Sequence, residues 1–192
     1  MAKKKFDTEE ALQKAMELFW VKGYEATSVR DLTTHLGITI GSFYDSFGSK
    51  HTIFMQALKR YNKHFQGALI GLLDDTTNGK EAILQFFQVM MANYDSAKGA
   101  CGCLLTNSVT EMAAHDPEVA GFTSDILGDL EAAFARAYKR GQEQGHLDQE
   151  HDAKAMGSFL NTNFQGMNVL IKARKSSSTL TETVAIITKM LN

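Results

Sequence analysis

Residues 37–50 read GITIGSFYDSFGSK. The stretch packs two Phe, a Tyr, three Gly and a single Lys into one short segment. It is too rich in glycine for a long helix and too aromatic for an ordinary exposed loop. Gly37 marks a tight turn, because glycine adopts a positive backbone angle without steric cost. Thr39 can cap a short helix running to Tyr44 or Asp45, and Ser49 can cap the next one. Upstream, Ser28-Val29-Arg30-Asp31 is close to a capping box, with Asp31 in place of the usual Glu or Gln. It opens another short helix whose inner face is Val29, Leu32 and Leu36. Before that, residues 7–22 place Leu12, Ala15, Met16 and Phe19 at helical spacing. Asp7 or Thr8 can cap their start, and Glu9 and Glu10 suit the positive end of the helix dipole. Two short helices joined by a glycine turn, behind an amphipathic helix, describe a helix-turn-helix.

The second short helix of such a unit must fit the major groove of DNA, and that requirement sorts the stretch. Ile38 and Phe43 anchor it inward, and Phe47 joins Phe43 in the core. Gly41 lets the backbone come close to a duplex. Thr39, Ser42, Tyr44 and Asp45 are left to face the DNA. A tyrosine hydroxyl suits a phosphate oxygen, the smaller hydroxyls suit a phosphate or a base edge, and a carboxylate can accept from cytosine N4. Lys50 begins the next helix, where free backbone N–H groups also favour an anion.

The rest of the composition bounds the reading. The chain has 192 residues, 44% apolar and 22% charged, with one proline, Pro117. So few breakers predict a mostly helical chain whose turns rely on Gly, Asn, Asp and Ser. No apolar run approaches the roughly 18 residues of a membrane span, so no membrane partner is expected. The lysines at the N-terminus have no apolar segment behind them, so no secretory signal is expected and the cytoplasm is the expected location. Cys101 and Cys103 stand one residue apart, which is no disulfide framework and fits a reduced compartment. The formal net charge of −2 excludes a uniformly basic coat. Residues 1–64 nevertheless hold 10 Lys/Arg against 7 Asp/Glu, and the remainder holds 10 against 15. A mildly basic head on an acidic body assigns any polyanion to the head.

Further helices are expected over residues 49–73, 79–98, 103–115, 117–145, 151–175 and 176–192, nine in all. The β-branched run TVAIIT, residues 183–188, could be a strand, but its apolar spacing favours helix. Segment 151–175 is apolar on more than one face, with Met156, Leu160, Met167 and Ile171 on one and Phe159, Phe164 and Leu170 nearby. Such a helix must bury both stripes, against its own chain or against a second copy. Gly157 and Gly166 permit close helix approach, and Ile187 falls on the expected seam of the last helix.

Residues 7–55 resemble the DNA-binding head of the TetR family of bacterial transcriptional repressors. The resemblance lies in ALQKAMELFWVKGYEATSVRDLTTHLGITIGSFYDSFGSKHTIF. There Lys22, Gly23, Tyr24, Thr27, Ser28, Leu32, Leu36, Gly37, Gly41, Tyr44, Phe47, Ser49 and Lys50 match the family pattern. Ile40 and Asp45 depart from it: a basic or small residue is frequent at the first position, His or Tyr at the second. The resemblance implies an all-α, nine-helix fold with a helix-turn-helix domain at 1–50 and a ligand-binding and dimerisation domain at 51–192. It implies phosphate contacts from Thr27, Tyr44 and Lys50, groove contacts from Thr39, Ser42 and Asp45, and Arg30 projecting toward the DNA backbone. It also implies that the last two helices form a four-helix bundle with a second copy. A two-fold dimer would match a palindromic operator on double-stranded DNA.

Between head and bundle, Phe86, Met90, Tyr94, Met112, Phe122 and Phe134, with Phe87 and Met91, would make an apolar, adaptable cavity. Asn107, Asn163 and Gln165 could orient a small apolar or amphipathic effector there. The same stripes are also what an ordinary core would show. No metal or cofactor is expected. No GxSxG, HExxH, phosphate-binding glycine loop or CxxC is present, so an enzyme is not expected. His115, Asp116 and Glu118 read as helix-end solvation. The competing function is a ligand-binding or cysteine-based redox or electrophile sensor whose head has weak or lost DNA binding. Cys103 would lie in the first turn of a helix, where the dipole can lower a thiol pKa, whereas a free Cys is otherwise a small buried apolar residue. The nearest base in sequence is Lys98. A gel shift with the DNA upstream of its own operon would separate the two readings.

Overall fold

The computed structural model describes residues 6–94, 99–174 and 176–192. Lys98, the base nearest the cysteines in sequence, lies outside the described residues. The elements in order are α1 (Thr8–Lys22), α2 (Val29–Leu36), α3 (Ile40–Phe47) and α4 (Lys50–Tyr61). A π turn (Asn62–Gln66) leads into α5 (Gly67–Asp75). Then come α6 (Gly79–Asn93), a short 3-10 turn (Gly99–Cys101), α7 (Leu104–Met112), α8 (Pro117–Glu143), α9 (Ala153–Lys172) and α10 (Ser177–Met190). The fold is all-α; with the α4–π–α5 rod counted once, there are nine α-helices among the described residues. The run TVAIIT is helical, inside α10.

The helix ends of the head are set by their own side chains. Asp7 accepts from the amides of Glu9 and Glu10. Ser28 and Asp31 form a complete capping box: Asp31 N donates to Ser28 Oγ at 3.0 Å and Ser28 N to the Asp31 carboxylate at 2.8 Å. Lys22 closes on the same carboxylate at 2.8 Å, tying the end of α1 to the start of α2. Lys22 first, then Ser28, holds Asp31 well below the usual carboxylate range. Gly37 stops α2 in the left-handed conformation at φ 68°, which a side chain would strain. Thr39 caps α3, which runs on to Phe47.

The segment read from sequence as one helix from 49 to 73 is a rod with a π turn in its middle. The Gly67 amide bonds to the Asn62 carbonyl, five residues back, so the turn holds one extra residue. Tyr61 and Phe65 stack at 4.9 Å, and each meets the Trp20 ring edge-on at 5.0 and 5.1 Å.

Two apolar clusters fill the interior. The first joins the head to the body: Phe19, Leu32, Phe43, Phe54 and Leu58 are buried together with Leu105, Met112, Val119 and Ile126. The second lies in the body, where Phe86 packs between Phe134 and Phe164 at 4.6 and 4.9 Å, with Leu73, Leu160 and Leu180 around them. Each such side chain contributes about 1.5–3 kcal/mol by leaving water. α8 and α9 approach so closely that a Cβ on Gly157 would sit 2.7 Å from the Glu131 carbonyl oxygen. Gly157 therefore serves packing within the chain, and Gly166 faces open space. Ile187 is also internal, 2% exposed, which removes it from the outer seam expected for it. The apolar side chains that α9 and α10 leave outside are Val169, Ile186 and Met190.

Candidate nucleic-acid interface and effector cavity

α3 is held from behind and open in front. Phe43 and Phe47 are buried in the first cluster. Thr39, Ile40, Gly41, Tyr44 and Asp45 are exposed, and Ser42 is half-buried. Thr39 Oγ1 caps the helix by accepting from the Ser42 amide at 3.1 Å, and its hydroxyl donates to Ser42 Oγ at 2.9 Å. The Ser42 hydroxyl proton stays available to a base edge or phosphate. Tyr44 is 50% exposed, its ring lying edge-on to Phe43 at 5.4 Å. Ile40, at the first position of the helix, is 57% exposed. Reasoning from sequence noted Ile40 only as a departure from a pattern. The signal it carried was a large apolar side chain on the open side of a groove-sized helix.

Lys50 is positioned rather than loose. Its Nζ donates to the Tyr24 carbonyl at 3.0 Å and sits 3.9 Å from the centroid of the Tyr24 ring. An ammonium has three donors, so with one on the carbonyl and the ring covering one side, donor capacity remains for an anion. Arg30 is exposed on α2. Thr27 departs from expectation: it is fully buried, and its hydroxyl donates to the Gly23 carbonyl at 2.6 Å. That hydroxyl closes the turn between α1 and α2 and has no route to a phosphate.

Polar ties also fasten the helix-turn-helix and α4 beside the shared core: Arg60 on α4 reaches back to α1, donating to Gln13 Oε1 at 2.9 Å and to Glu9 Oε2 at 2.7 Å, and three others run to the segments beyond α5. Trp20 Nε1 donates to the Gly102 carbonyl at 2.8 Å. The Glu111 carboxylate on α7 accepts from the amides of Tyr24 and Glu25 at 3.1 and 2.8 Å. A Cβ on Gly23 would lie 3.0 Å from that carboxylate, and the backbone there has φ 85°, which a side chain would strain. His51 Nε2 on α4 meets Asp116, the N-cap of α8, at 2.8 Å. The acidic cluster read as helix-end solvation is thus a cap and a tie: Asp116 also accepts from the amides of Glu118 and Val119. The Val119 amide above all, with His51, holds its pKa below the ordinary value.

A cavity of about 660 Å³ lies between α1, the π turn, α5, α6 and α9. Of the eight residues expected to bind ligand, Met90 and Tyr94 line it. Phe86 and Phe134 are buried within the second cluster, and Met112 and Phe122 belong to the first. Asn107 is buried with its amide donating to the Cys101 carbonyl at 3.0 Å, and Asn163 bonds to the Phe159 carbonyl of its own helix. Gln165 links Thr106 to Asn161 and is likewise structural. The wall comes instead from Trp20, Tyr61, Gln66, Leu69, Cys103 and Ile171, among others. Cys103 is 3% exposed at the N-cap of α7, and its Sγ accepts from Gln66 Nε2 at 3.4 Å; Cys101 is half-buried. Among the described residues no group of His, Cys, Asp and Glu is arranged to hold a metal, and no helix is long and apolar enough to cross a membrane.

Fold and site together define a helix-turn-helix DNA-binding protein with a helical body around a cavity. Comparison with known proteins makes the class specific. Residues 11–57 match the family model described as bacterial regulatory proteins, tetR family, and residues 79–187 match the tetracyclin repressor-like C-terminal domain. The chain is 33% identical over 190 residues to the HTH-type transcriptional regulator YezE of Bacillus subtilis, covering 98% of each. It is 29% identical to the HTH-type transcriptional repressor ComR of Escherichia coli, covering 91% of this chain and 83% of that one. Among solved structures, a cysteine mutant of the TetR family transcriptional regulator CifR, complexed with 26-bp double-strand operator DNA, superposes with a TM-score of 0.83. That pair is 28% identical over 97% of this chain and 96% of the other. The chain belongs to the TetR family. It is a DNA-binding transcriptional regulator and not an enzyme, which favours this reading over that of a ligand or redox sensor with weak or lost DNA binding.

Proposed function

We propose that the protein is a repressor that binds a palindromic operator as a homodimer and is released from it by a small apolar or amphipathic effector. The observation that carries the DNA reading is the open face of α3, flanked by the pinned ammonium of Lys50. In this reading the head, residues 1–50, meets the duplex. Tyr44, Lys50 and Arg30 take phosphates, and Thr39, Ser42 and Asp45 meet base edges. Ile40, exposed on the same face, meets a thymine methyl. The body, residues 51–192, provides dimer and cavity. Val169, Ile186 and Met190 are the exposed apolar side chains that a second copy would cover, and Gly166 leaves room for its approach. The cytoplasm, where the chromosome lies, is the place of action.

The effector acts through the contacts between body and head. The cavity touches Trp20 of α1 directly and borders the π turn of the rod that begins at Lys50. A ligand that favours one placement of the heads shifts DNA affinity by its differential affinity for the two states, typically about 5–150-fold. A titration of the protein against the DNA upstream of its own gene, at several salt concentrations, tests the DNA reading. Lys50→Ala weakens binding to all sequences alike and lowers the salt slope by roughly one. An unchanged slope would remove Lys50 from the phosphate contacts.

A further inference from the structure

Gln66 ends the π turn at the wall of the cavity and is 1% exposed. Its Nε2 donates to Cys103 Sγ at 3.4 Å. Its Oε1 is buried and accepts no hydrogen bond. A buried amide oxygen left without a donor is costly, and a ligand that brings one relieves the cost. The rest of the wall says what else the ligand must be. Trp20, Phe65, Leu69, Leu72, Phe164 and Ile171 make it apolar and partly aromatic. No Asp, Glu, Lys or Arg lines it among the described residues, and His64 is exposed. Burial above all, with Cys103 beside it, raises the pKa of the Tyr61 hydroxyl well above its ordinary value, so that hydroxyl stays neutral.

We infer that the cavity takes an uncharged alcohol or phenol with an apolar body, whose hydroxyl donates to Gln66 Oε1. The oxygen is itself buried, so a ligand reaches it only if the amide turns about its terminal bond, which exchanges the weak Nε2 bond to Cys103 Sγ for the bond to the hydroxyl. The hydroxyl is the only polar group the ligand requires, and its apolar remainder packs on Trp20 and the aromatic wall. The inference rests on the proposal that this cavity holds the effector, and it places the sensing residue on the π turn that interrupts the α4–α5 rod.

Trp20 is the chain's single tryptophan and lines the cavity, so its fluorescence reports binding without DNA. The probes are 4-butylphenol, its methyl ether 4-butylanisole, and 4-butylbenzoate. The phenol is expected to bind about tenfold more tightly than the ether, a difference equal to one good hydrogen bond, and the benzoate most weakly. Gln66→Met, which keeps the length of the side chain, is expected to bring phenol and ether within about twofold by weakening the phenol alone. Equal affinities for phenol and ether in the native protein overturn the inference, whether or not the variant folds. So does a phenol preference that survives in Gln66→Met, or a benzoate that binds most tightly. The release of DNA is read separately by gel shift. Phenol-selective binding that leaves operator affinity unchanged would overturn the effector role of the cavity while the ligand site stands.

Discussion

Ile40 shows how a single side chain states what it expects to meet. A large apolar residue at the first turn of a groove-sized helix is left more than half exposed to water by the described residues. The thymine methyl is the apolar group that the major groove displays. Replacing operator thymines one at a time by deoxyuridine removes one methyl group each time. At the position facing Ile40 the loss is expected to be about 0.8 kcal/mol, roughly fourfold in affinity. In Ile40→Ala the same replacement costs little, and the difference between the two titrations isolates the contact. A penalty that is the same in both proteins would place Ile40 away from the bases. The neighbouring residues show what the sequence makes legible at this scale. Thr27 and Lys50 both carried a phosphate role by resemblance. Lys50 stands half-buried at the start of α4, while the Thr27 hydroxyl turns inward to a carbonyl four residues back. A hydroxyl satisfied by its own turn looks the same in a sequence as one that faces solvent.

Elements were legible where their signals are local. Ser28 with Asp31, Thr39 and Ser49 each cap the helix expected of them, because a cap needs only a side chain two or three residues from the amides it accepts from. The π turn was not legible. Asn62–Gln66 continues a helical apolar pattern, and the packing that accompanies the wider turn, Tyr61 and Phe65 around Trp20, involves a residue more than forty positions earlier in the chain. Asp116 joins both kinds of signal. It caps α8 locally and ties it to His51 on α4 at long range. Asp116→Ala is expected to cost about 1 kcal/mol through the lost cap, seen as a lower melting temperature. The pH dependence follows from the lowered pKa of this carboxyl. With a folded-state value below the ordinary 3.8, its stabilisation is complete above that value and is lost as pH falls through the folded-state value. Asp116→Asn keeps an acceptor for the amides without the charge. Its melting temperature should therefore depend less on pH than that of the native protein as pH falls below the ordinary 3.8. Parallel acid profiles for the two proteins would exclude Asp116 as a source of the acid sensitivity.

At the scale of the molecule, sequence reasoning sees which faces are apolar but not which of them the chain covers itself. α9 and α10 carry more apolar side chains than one face can hold. Of these, Met156, Leu160, Met167, Ile171 and Ile187 turn inward, leaving Val169, Ile186 and Met190 outside. Adjacent residues therefore make opposite predictions. Ile186 is 55% exposed, so Ile186→Asp is expected to leave the fold intact and give a monomer in sedimentation. Ile187→Asp buries a charge and is expected to destabilise the fold itself by several kcal/mol, seen as a collapse of the melting temperature. A stable dimer from Ile186→Asp would exclude that side chain from the interface. The cavity was misplaced for a related reason. Phe86, Phe134 and Met112 have the right character, but each is enclosed by neighbours from distant segments, whereas the wall draws on Trp20 from the head.

The junction of head and body decides whether such a wall can matter to DNA. Glu111 on α7 holds the amides of Tyr24 and Glu25, in the turn between the first two helices of the head. Tyr24 in turn holds Lys50 through its carbonyl and its ring. One carboxylate in the body thus positions the turn that positions the Lys50 ammonium, for which a phosphate contact is proposed. Because the first apolar cluster also crosses the junction, Glu111→Ala is not expected to detach the head. It is expected to lower the melting temperature modestly, since two hydrogen bonds to a charged group contribute about 1.5–3 kcal/mol each at most and the amides left behind can reach water. The larger expected effect is on coupling. With the tie removed, the head samples both placements more freely, and a ligand that favours one of them has less leverage. Operator affinity measured with and without a cavity ligand is expected to differ by about 5–150-fold in the native protein and by a factor closer to one in Glu111→Ala. Reciprocity supplies an internal check, because the operator must weaken ligand binding by the same factor in each protein. An unchanged ratio in Glu111→Ala would move the coupling to other routes, among them the shared apolar cluster, the Trp20 contact with Gly102 and the Arg60 bonds to Glu9 and Gln13.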